Sequence, residues 1–331
     1  MLDSDKQGGE TPYPLVSILI PAKNQGRVIE QCMQSLSGLH YPMDRLEVVV
    51  VDGRSKDNTA EIAQKYGAQV VYDDGQGRCR AHGLNAGIAH AKGRYVAFTD
   101  PDCSVEPEWL TKALPYFRAS KVGGVGGHCF TPRDASPLAE AINFVAYLTV
   151  STLPKQPGAV PFIAGANSIY RAEAIKPLFP IPEVVAGEDA VLSLRARDAN
   201  WELIFAPEVV VWHNMHYTNL VGLFRQMQLY GKGSAQCWSL DRRLVGPQSW
   251  LKALAPPFLG PLAIALLLKN RAVFLGALSL GLPMAFWLSG RLFLKARSLR
   301  AALVLPLVGA TMATAYSVGF LKELAASPVK P

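Results

Sequence analysis

Two aspartates one residue apart, Asp100 and Asp102, are the side chains in this sequence best suited to chemistry. In an extended backbone, residues i and i+2 point to the same side, and Pro101 disfavours helix at Asp100. Two hard oxygen ligands on one side suit Mg²⁺ or Mn²⁺ carrying a substrate diphosphate. The alternative is a loop aspartate that caps the helix expected to begin near Glu106.

Further polar residues follow apolar runs in the same way. The run Val16–Ile20 leads into residues 21–24, and the run Leu46–Val51 leads into Asp52. Carboxylates at strand exits are not needed for packing, and several of them in one crevice repel one another unless a cation or a hydrogen-bonding ligand satisfies them. In α/β sheets, ligands bind beyond the carboxyl ends of the strands. We therefore expect a ligand site at this edge of a sheet.

The elements that must position these residues alternate along the chain between strand-like and helical patterns. Strands are predicted at Val16–Ile20, Leu46–Val51, Gln69–Tyr72 and Tyr95–Thr99. Helical spacing recurs near 28–36, 58–66, 77–91 and 106–117. This order predicts an α/β, Rossmann-like layered fold with a mainly parallel sheet.

Composition and charge exclude several classes of protein. The 331 residues are 50% hydrophobic and have a mean hydropathy of +0.15, which excludes disordered chains and disulfide-rich miniproteins. The net charge of +7 arises in residues 251–331, which hold nine bases and one acid, so the rest of the chain is nearly neutral. That distribution gives no reason to propose nucleic acid as a partner.

Three apolar runs near the C-terminus contain no ionisable side chain. They are 254–268, 272–289 and 301–321. The last two are close to the length of a helix that spans the hydrocarbon of a bilayer, whereas the first either spans or enters and returns. The basic link 290–300 is expected on the cytoplasmic side. The sequence therefore predicts a multi-pass protein of the inner (plasma) membrane with a cytoplasmic N-terminal domain; a buried helical hairpin is the alternative.

Several short motifs together resemble glycosyltransferase family 2, whose members have the GT-A fold. The N-terminal ones are Pro-Ala-Lys-Asn at 21–24, Val-Val-Asp-Gly-Arg-Ser-Lys-Asp at 50–57, Gly-Leu-Asn-Ala-Gly at 83–87 and the 92–102 stretch that ends in Asp-Pro-Asp. Later ones are Gly-Ala-Asn at 165–167, Gly-Glu-Asp at 187–189 and the run 205–213 that ends in Trp-His. The resemblance covers roughly residues 14–235.

The resemblance implies roles for matching positions. A nucleotide-sugar site would be formed by Pro21, Ala22, Asn24, Asp52, Arg78, Asn85 and Asp100. The donor or acceptor sugar would meet Gly165, Asn167 and Glu188, and the diphosphate would meet Arg225 and Gln226. Asp102, Asp100 and His213 would hold the Mg²⁺ or Mn²⁺, and Asp189 would be the general base. For His213 the alternative is a core histidine, and for Glu188 and Asp189 it is a pair of acids facing a helix dipole.

This chemistry is consistent with elementary requirements. A leaving diphosphate needs stabilisation, which a divalent cation supplies, and the attacking hydroxyl needs a base within reach. An aspartate next to Glu188 and partly desolvated holds its proton more tightly than a free one. One base without a protein nucleophile implies inversion at the anomeric carbon.

Departures from the family pattern limit the expected function. Gly53 and Arg54 stand where the family has aspartate and glycine, and the Gln-x-x-Arg-Trp motif of processive synthases becomes Gln226–Tyr230, without its arginine. We therefore expect an inverting transferase that moves a sugar from a UDP- or GDP-linked donor to a lipid-linked acceptor at the cytoplasmic membrane face, in polysaccharide or glycoconjugate assembly. The alternatives are a subunit of a processive polysaccharide synthase and a catalytically silent scaffold that binds sugar nucleotides.

The expected division of the chain follows from these patterns. It comprises an N-terminal tail 1–13, a GT-A domain 14–216, interfacial helices 217–250 and a transmembrane region 251–331.

Overall fold

The structure is a computed structural model, and it describes residues 13–73, 79–131, 136–139, 141–142, 154–214, 219–250, 253–254 and 299–326. The described residues form two compact units. The first unit is drawn from 1–130, 154–183 and 188–214, and the second from 131–153, 184–187 and 215–331.

The first unit contains one mixed sheet. Its strands are β1 (Val16–Ala22), β2 (Leu46–Asp52), β3 (Gln69–Tyr72), β4 (Tyr95–Phe98), β5 (Cys103–Val105), β6 (Val122–Phe130), β7 (Gly158–Ala159), β8 (Ser168–Arg171) and β9 (Glu202–His213). They lie in the order β3-β2-β1-β4-β8-β6-β9-β5, and β7 pairs with β9. Strands β1 to β4 pair in parallel.

The expectation of a mainly parallel sheet is wrong for the other half. Strand β8 runs antiparallel to β4 and β6, and β5 and β7 run antiparallel to β9; β6 and β9 are parallel. Antiparallel pairing does not need the long helical crossover that a parallel pair requires.

Helices cover the sheet of the first unit. They are α1 (Ile29–Ser37), α2 (Thr59–Lys65), α3 (Arg80–Ile88), α4 (Trp109–Ala113), α5 (Ala172–Ile175) and α6 (Glu188–Asp198). The helix predicted at 106–117 is shorter than expected and continues as a 3₁₀ turn, Leu114–Arg118. Pro115 explains this, because proline has no N–H for the next α-helical hydrogen bond.

Close packing places α3 against the ends of the first two strands. A Cβ atom at Gly83 would come within 2.8 Å of the Pro21 Cβ, and one at Gly87 would come within 2.8 Å of the Val51 Cγ2. Glycine is therefore required at both positions of the helix. The contact brings the first residue of α3, Arg80, to the carboxyl edge of the sheet.

The second unit is built on two long helices, α7 (Leu220–Leu240) and α8 (Leu299–Ala326). Side chains of Leu223, Met227, Leu305, Val308 and Ala315 form its apolar core. The helices meet at two glycines, since a Cβ atom at Gly231 or Gly319 would lie 2.0 Å from a carbonyl oxygen of the facing helix. Small residues allow such a backbone contact.

One helix among the described residues, Leu303–Ala326, is long and apolar enough to cross a membrane by length and composition. It contains most of the predicted run 301–321. The predicted runs 254–268 and 272–289 lie outside the described residues, apart from Leu254. A multi-pass region therefore stays a prediction.

Candidate active site

The register of two short strands assembles one group of side chains. Strand β4 ends at Phe98, the turn carries Asp100 and Asp102, and β5 begins at Cys103. Cys103 stands opposite His213 in the antiparallel pair of β5 and β9. As a result, the His213 Nε2 lies 3.3 Å from the Asp102 Oδ1.

This group has the donor atoms of a divalent metal site. One ligand atom each from Asp100, Asp102, Cys103 and His213 lies within 4.8 Å of the others. Burial raises the pKa of the Cys103 thiol well above its usual value, so this sulfur stays protonated. Two carboxylates and one imidazole remain, and such a set of predominantly hard ligands fits Mg²⁺ or Mn²⁺.

The electrostatics of His213 follow from the same neighbours. Burial lowers the pKa of its imidazole, but the hydrogen bond to Asp102 and the charges of Asp102 and Asp100 outweigh burial, so the pKa is raised overall. The two acids therefore favour positive charge beside His213.

Arg80 links this group to a second pair of acids. Its Nε donates to the Asp100 Oδ1 at 2.8 Å, and its Nη1 donates to the Glu188 Oε1 at 2.8 Å. Its Nη2 donates to the Gly165 carbonyl at 3.2 Å. Burial disfavours the charge on Arg80, but Asp100 and Glu188 outweigh it and raise the pKa, so Arg80 stays a cation.

Asp189 lies in the first turn of α6 and is held by backbone donors. Its Oδ2 accepts from the Gly165 N–H at 3.1 Å, and its Oδ1 accepts from the Ala190 N–H at 2.9 Å. Burial and then the charge of Glu188 raise the pKa of Asp189 to about 7, although Gly165 and Arg80 act against the shift. A carboxylate with this pKa is suited to accept a proton near neutral pH.

Gly165 occupies a position between the two charged partners. Its N–H holds Asp189 and its carbonyl holds Arg80. A Cβ atom at this position would come within 2.7 Å of the Arg80 Nη1. We call Arg80, Asp100, Glu188 and Asp189 the charged cluster; Gly165 fits against it because it lacks a side chain.

A second group lies at the ends of β1 and β2, where Ala22 is the register partner of Asp52. The Asp52 Oδ1 accepts from the backbone N–H of Ser55 at 3.0 Å and from its hydroxyl. The Ser55 hydroxyl in turn accepts from the Asn24 N–H at 2.8 Å. We call Asn24, Asp52 and Ser55 the strand-end network. Pro21 precedes Ala22 on β1, on the side that faces α3.

Two predicted ligand-binding amides, those of Asn85 and Asn167, make hydrogen bonds within the fold. The Asn85 carboxamide donates to the Ile181 carbonyl and accepts from the Ile181 N–H, at 2.9 and 2.8 Å. Asn167 is fully buried; it donates to the carbonyls of His128 and Val209 and accepts from the Trp109 Nε1. These bonds stabilise the fold, and the contact of either residue with a sugar nucleotide stays a prediction.

The other predicted residues lie elsewhere. Arg225 is exposed and Gln226 is half-buried, both on α7 of the second unit, and their contact with a diphosphate stays a prediction. Arg78 lies outside the described residues. Sequence reasoning missed Arg80, whose only signal is a second arginine two residues after Arg78.

Comparison with known proteins places the chain among sugar transferases. A family described as "Glycosyl transferase family 2" matches residues 17–179. Glycosyltransferase AglE of Haloferax volcanii is 29% identical over 238 residues, 69% of this chain and 76% of that protein. Beta-monoglucosyldiacylglycerol synthase of Synechocystis is 34% identical over 263 residues, 73% of this chain and 53% of that protein. The chain thus spans about half of the latter.

Solved structures share the fold. One is mannosyltransferase PcManGT from Pyrobaculum calidifontis, in complex with GDP-Man and Mn²⁺, with a TM-score of 0.68 at 20% identity. The aligned region covers 96% of this chain and 89% of the PcManGT chain. TarS 1-349 of S. aureus has a TM-score of 0.52 at 15% identity, with 96% and 93% covered. The expected GT-A-like α/β fold is confirmed, with a mixed sheet.

Proposed function

Because this chain belongs to glycosyltransferase family 2, we propose that it moves one sugar from a UDP- or GDP-linked donor to a lipid-linked acceptor, with inversion, at the cytoplasmic face of a membrane. The chain is a nucleotide-sugar transferase of this family; the acceptor, the stereochemistry and the location are the proposal. One observation carries the site: Arg80 and Gly165 connect Asp100 of the candidate metal group to Asp189 through hydrogen bonds.

Asp189 is the general base in this proposal. Its carboxylate takes the proton of the acceptor hydroxyl while that oxygen forms a bond to the anomeric carbon and the bond from this carbon to the diphosphate oxygen breaks. A single displacement of this kind inverts the anomeric centre. The raised pKa of Asp189, about 7, makes it a stronger base than an ordinary aspartate.

Asp102, Asp100 and His213 would hold Mg²⁺ or Mn²⁺. When bound, the cation supplies Lewis-acid stabilisation of the leaving diphosphate. Arg80 fixes one oxygen of Asp100, so that the carboxylate has a defined orientation. Its positive charge also offsets the repulsion between Asp100 and Glu188.

Two features support a lipid acceptor. The helix Leu303–Ala326 offers a membrane anchor by length and composition, and exposed Leu303 and Leu307 lie one turn apart near its start. A relative bears the name beta-monoglucosyldiacylglycerol synthase, which describes a glycolipid. An acceptor that is dissolved in the bilayer needs an enzyme held at the bilayer surface, and an anchor of this kind would hold it there.

The test uses the full chain in lipid vesicles with Mn²⁺, a panel of radiolabelled sugar nucleotides, and either lipid or water-soluble acceptors. Asp189→Asn should lower transfer by about 100-fold or more while donor binding is retained, because only the base is lost. Asp102→Asn should weaken donor binding in the presence of Mn²⁺. The radioactive label should appear in the lipid fraction that is extracted with organic solvent.

The matched control is Asp44→Asn, which alters an aspartate whose side chain is 79% exposed. It should transfer at the wild-type rate. Transfer at the wild-type rate by Asp189→Asn would refute the role of Asp189 as the general base. Label found only in water-soluble products would refute the lipid acceptor.

A further inference from the structure

Arg54 follows β2 in a conformation that arginine rarely adopts. Its φ of 62° lies in the left-handed region, which glycine enters without steric cost. The neighbouring backbone does not let it relax: the Gly53 N–H donates to the Ala22 carbonyl at 2.8 Å, and Ser55 is tied to Asp52. A non-glycine residue held in this backbone conformation suggests a function.

The Arg54 guanidinium is exposed and rests on one aromatic ring. Its Cζ lies 5.2 Å from the centroid of the Tyr72 ring, at a distance typical of cation–π contact. Tyr72 is itself 49% exposed. Among the described residues, the guanidinium makes no hydrogen bond and no ion pair, so its N–H donors are open to a ligand.

The position of this pair is that of a ligand-contacting surface. Tyr72 is the register partner of Asp52, so both lie at the carboxyl edge of the parallel half of the sheet, where ligands bind in α/β folds. The family resemblance assigns Asp52 to the nucleotide. Arg54 lies two residues further along the same loop.

We propose that Arg54, supported by Tyr72, reads the base of the donor nucleotide and selects guanine. This inference rests on the proposed function. The planar guanidinium presents two parallel N–H donors, which match the adjacent O6 and N7 acceptors of guanine. Uracil offers one carbonyl oxygen on that edge. Guanine and uracil both carry an N–H that can donate a hydrogen bond to Asp52, so Asp52 does not distinguish the two bases. Arg54 does distinguish them.

The experiment is calorimetric titration of the full chain with GDP and with UDP, both in the presence of Mn²⁺. Wild type should bind GDP about 10- to 100-fold more tightly than UDP. Arg54→Gly should lose that preference by weakening GDP while leaving UDP unchanged. Its melting temperature should not fall, because glycine suits a φ of 62°. Arg54→Lys keeps the positive charge but lacks the two parallel N–H donors of the guanidinium, so it should also lose most of the preference for GDP.

The matched control is Lys65→Met, which removes a cation lying 5.9 Å from the Tyr66 ring on α2. It should bind GDP as wild type does. Equal losses of GDP and UDP in Arg54→Gly would place the contact on the shared diphosphate and overturn the base selection, as would an unchanged GDP affinity. Tight UDP binding by wild type refutes guanine selection alone, whereas binding of neither nucleotide refutes the proposed donor function as well.

Discussion

The strand-end network and the charged cluster hold their side chains by different means. In the strand-end network, backbone N–H groups of Asn24 and Ser55 donate to short side chains at the ends of neighbouring parallel strands. In the charged cluster, Arg80 joins the turn after β4 to the start of α6 through charged side chains. The first arrangement fixes the shape of two loops, and the second fixes the balance of charge at the proposed reaction centre.

The difference has an energetic consequence. A hydrogen bond from a neutral donor such as Ser55 to a carboxylate contributes about 1.5 to 3 kcal/mol, whereas a buried charge that loses its charged partner costs about 3 to 5 kcal/mol. The Arg80 side chain is 20% exposed and the Glu188 side chain 7%, so solvent screens this pair poorly. Changes in the charged cluster should therefore have larger effects than changes in the strand-end network.

The largest effect is expected for Arg80→Met. It leaves Asp100, Glu188 and Asp189 without their cation, so it should lower the free energy of unfolding by about 3 kcal/mol and slow sugar transfer by about 100-fold. Urea denaturation measures the change in the free energy of unfolding, and initial rates measure the change in sugar transfer. Lys112→Met, which breaks the exposed pair with Glu108, is the control and should change stability by less than about 1 kcal/mol. Equal effects of the two variants would remove the distinction between the two regions.

An intermediate effect is expected from pH. Burial and Glu188 raise the pKa of Asp189 to about 7, and the base acts when it is ionised. Transfer at saturating donor should therefore rise by about tenfold per pH unit below 7 and level off above it. Glu188→Gln removes a charge that raises this pKa, so the rise should move to lower pH. A flat profile between pH 5 and 8 would contradict the assignment of Asp189.

The smallest effect is expected for Ser55→Ala. It removes the hydroxyl that joins the Asp52 carboxylate to the Asn24 N–H, at a cost of about 2 kcal/mol in the free energy of unfolding. The KM for the donor should rise a few-fold with little change in kcat, because the loop ends lose definition while the charged cluster is intact. A loss of kcat as large as that of Arg80→Met would show that the strand-end network also governs the chemical step.

The sequence predicts the parallel half of the sheet well, because its strands are apolar runs between helical patterns. Strand β3 has the predicted bounds, Gln69–Tyr72, and β1 and β2 extend their predicted runs by one or two residues. The antiparallel half is harder. Strand β6 contains four glycines, a residue that strands usually lack; at Gly124 and Gly126 the space is taken by Tyr170 and Ile163. That packing arises only in the folded chain.

The roles of individual residues also differ in how far the sequence predicts them. Asp100, Asp102 and His213 are recognisable by type and position after strands, and the register of β5 and β9 brings them together. Asn85 and Asn167 share the polarity of ligand-binding residues, but their carboxamides are used by the backbone of distant segments. Sequence cannot distinguish these two uses, because the residue type is the same in both and the partners come from distant segments.

Gly165 also bears on how this enzyme can be redesigned. Its two backbone groups contact Asp189, the proposed base, and Arg80 at once, and the space for a side chain is already filled by Arg80. Libraries that aim to change acceptor choice should therefore leave this position untouched and vary surrounding surface residues. Any substitution here would disturb the hydrogen bonds of Asp189 and of Arg80 together, so neither could be tuned alone.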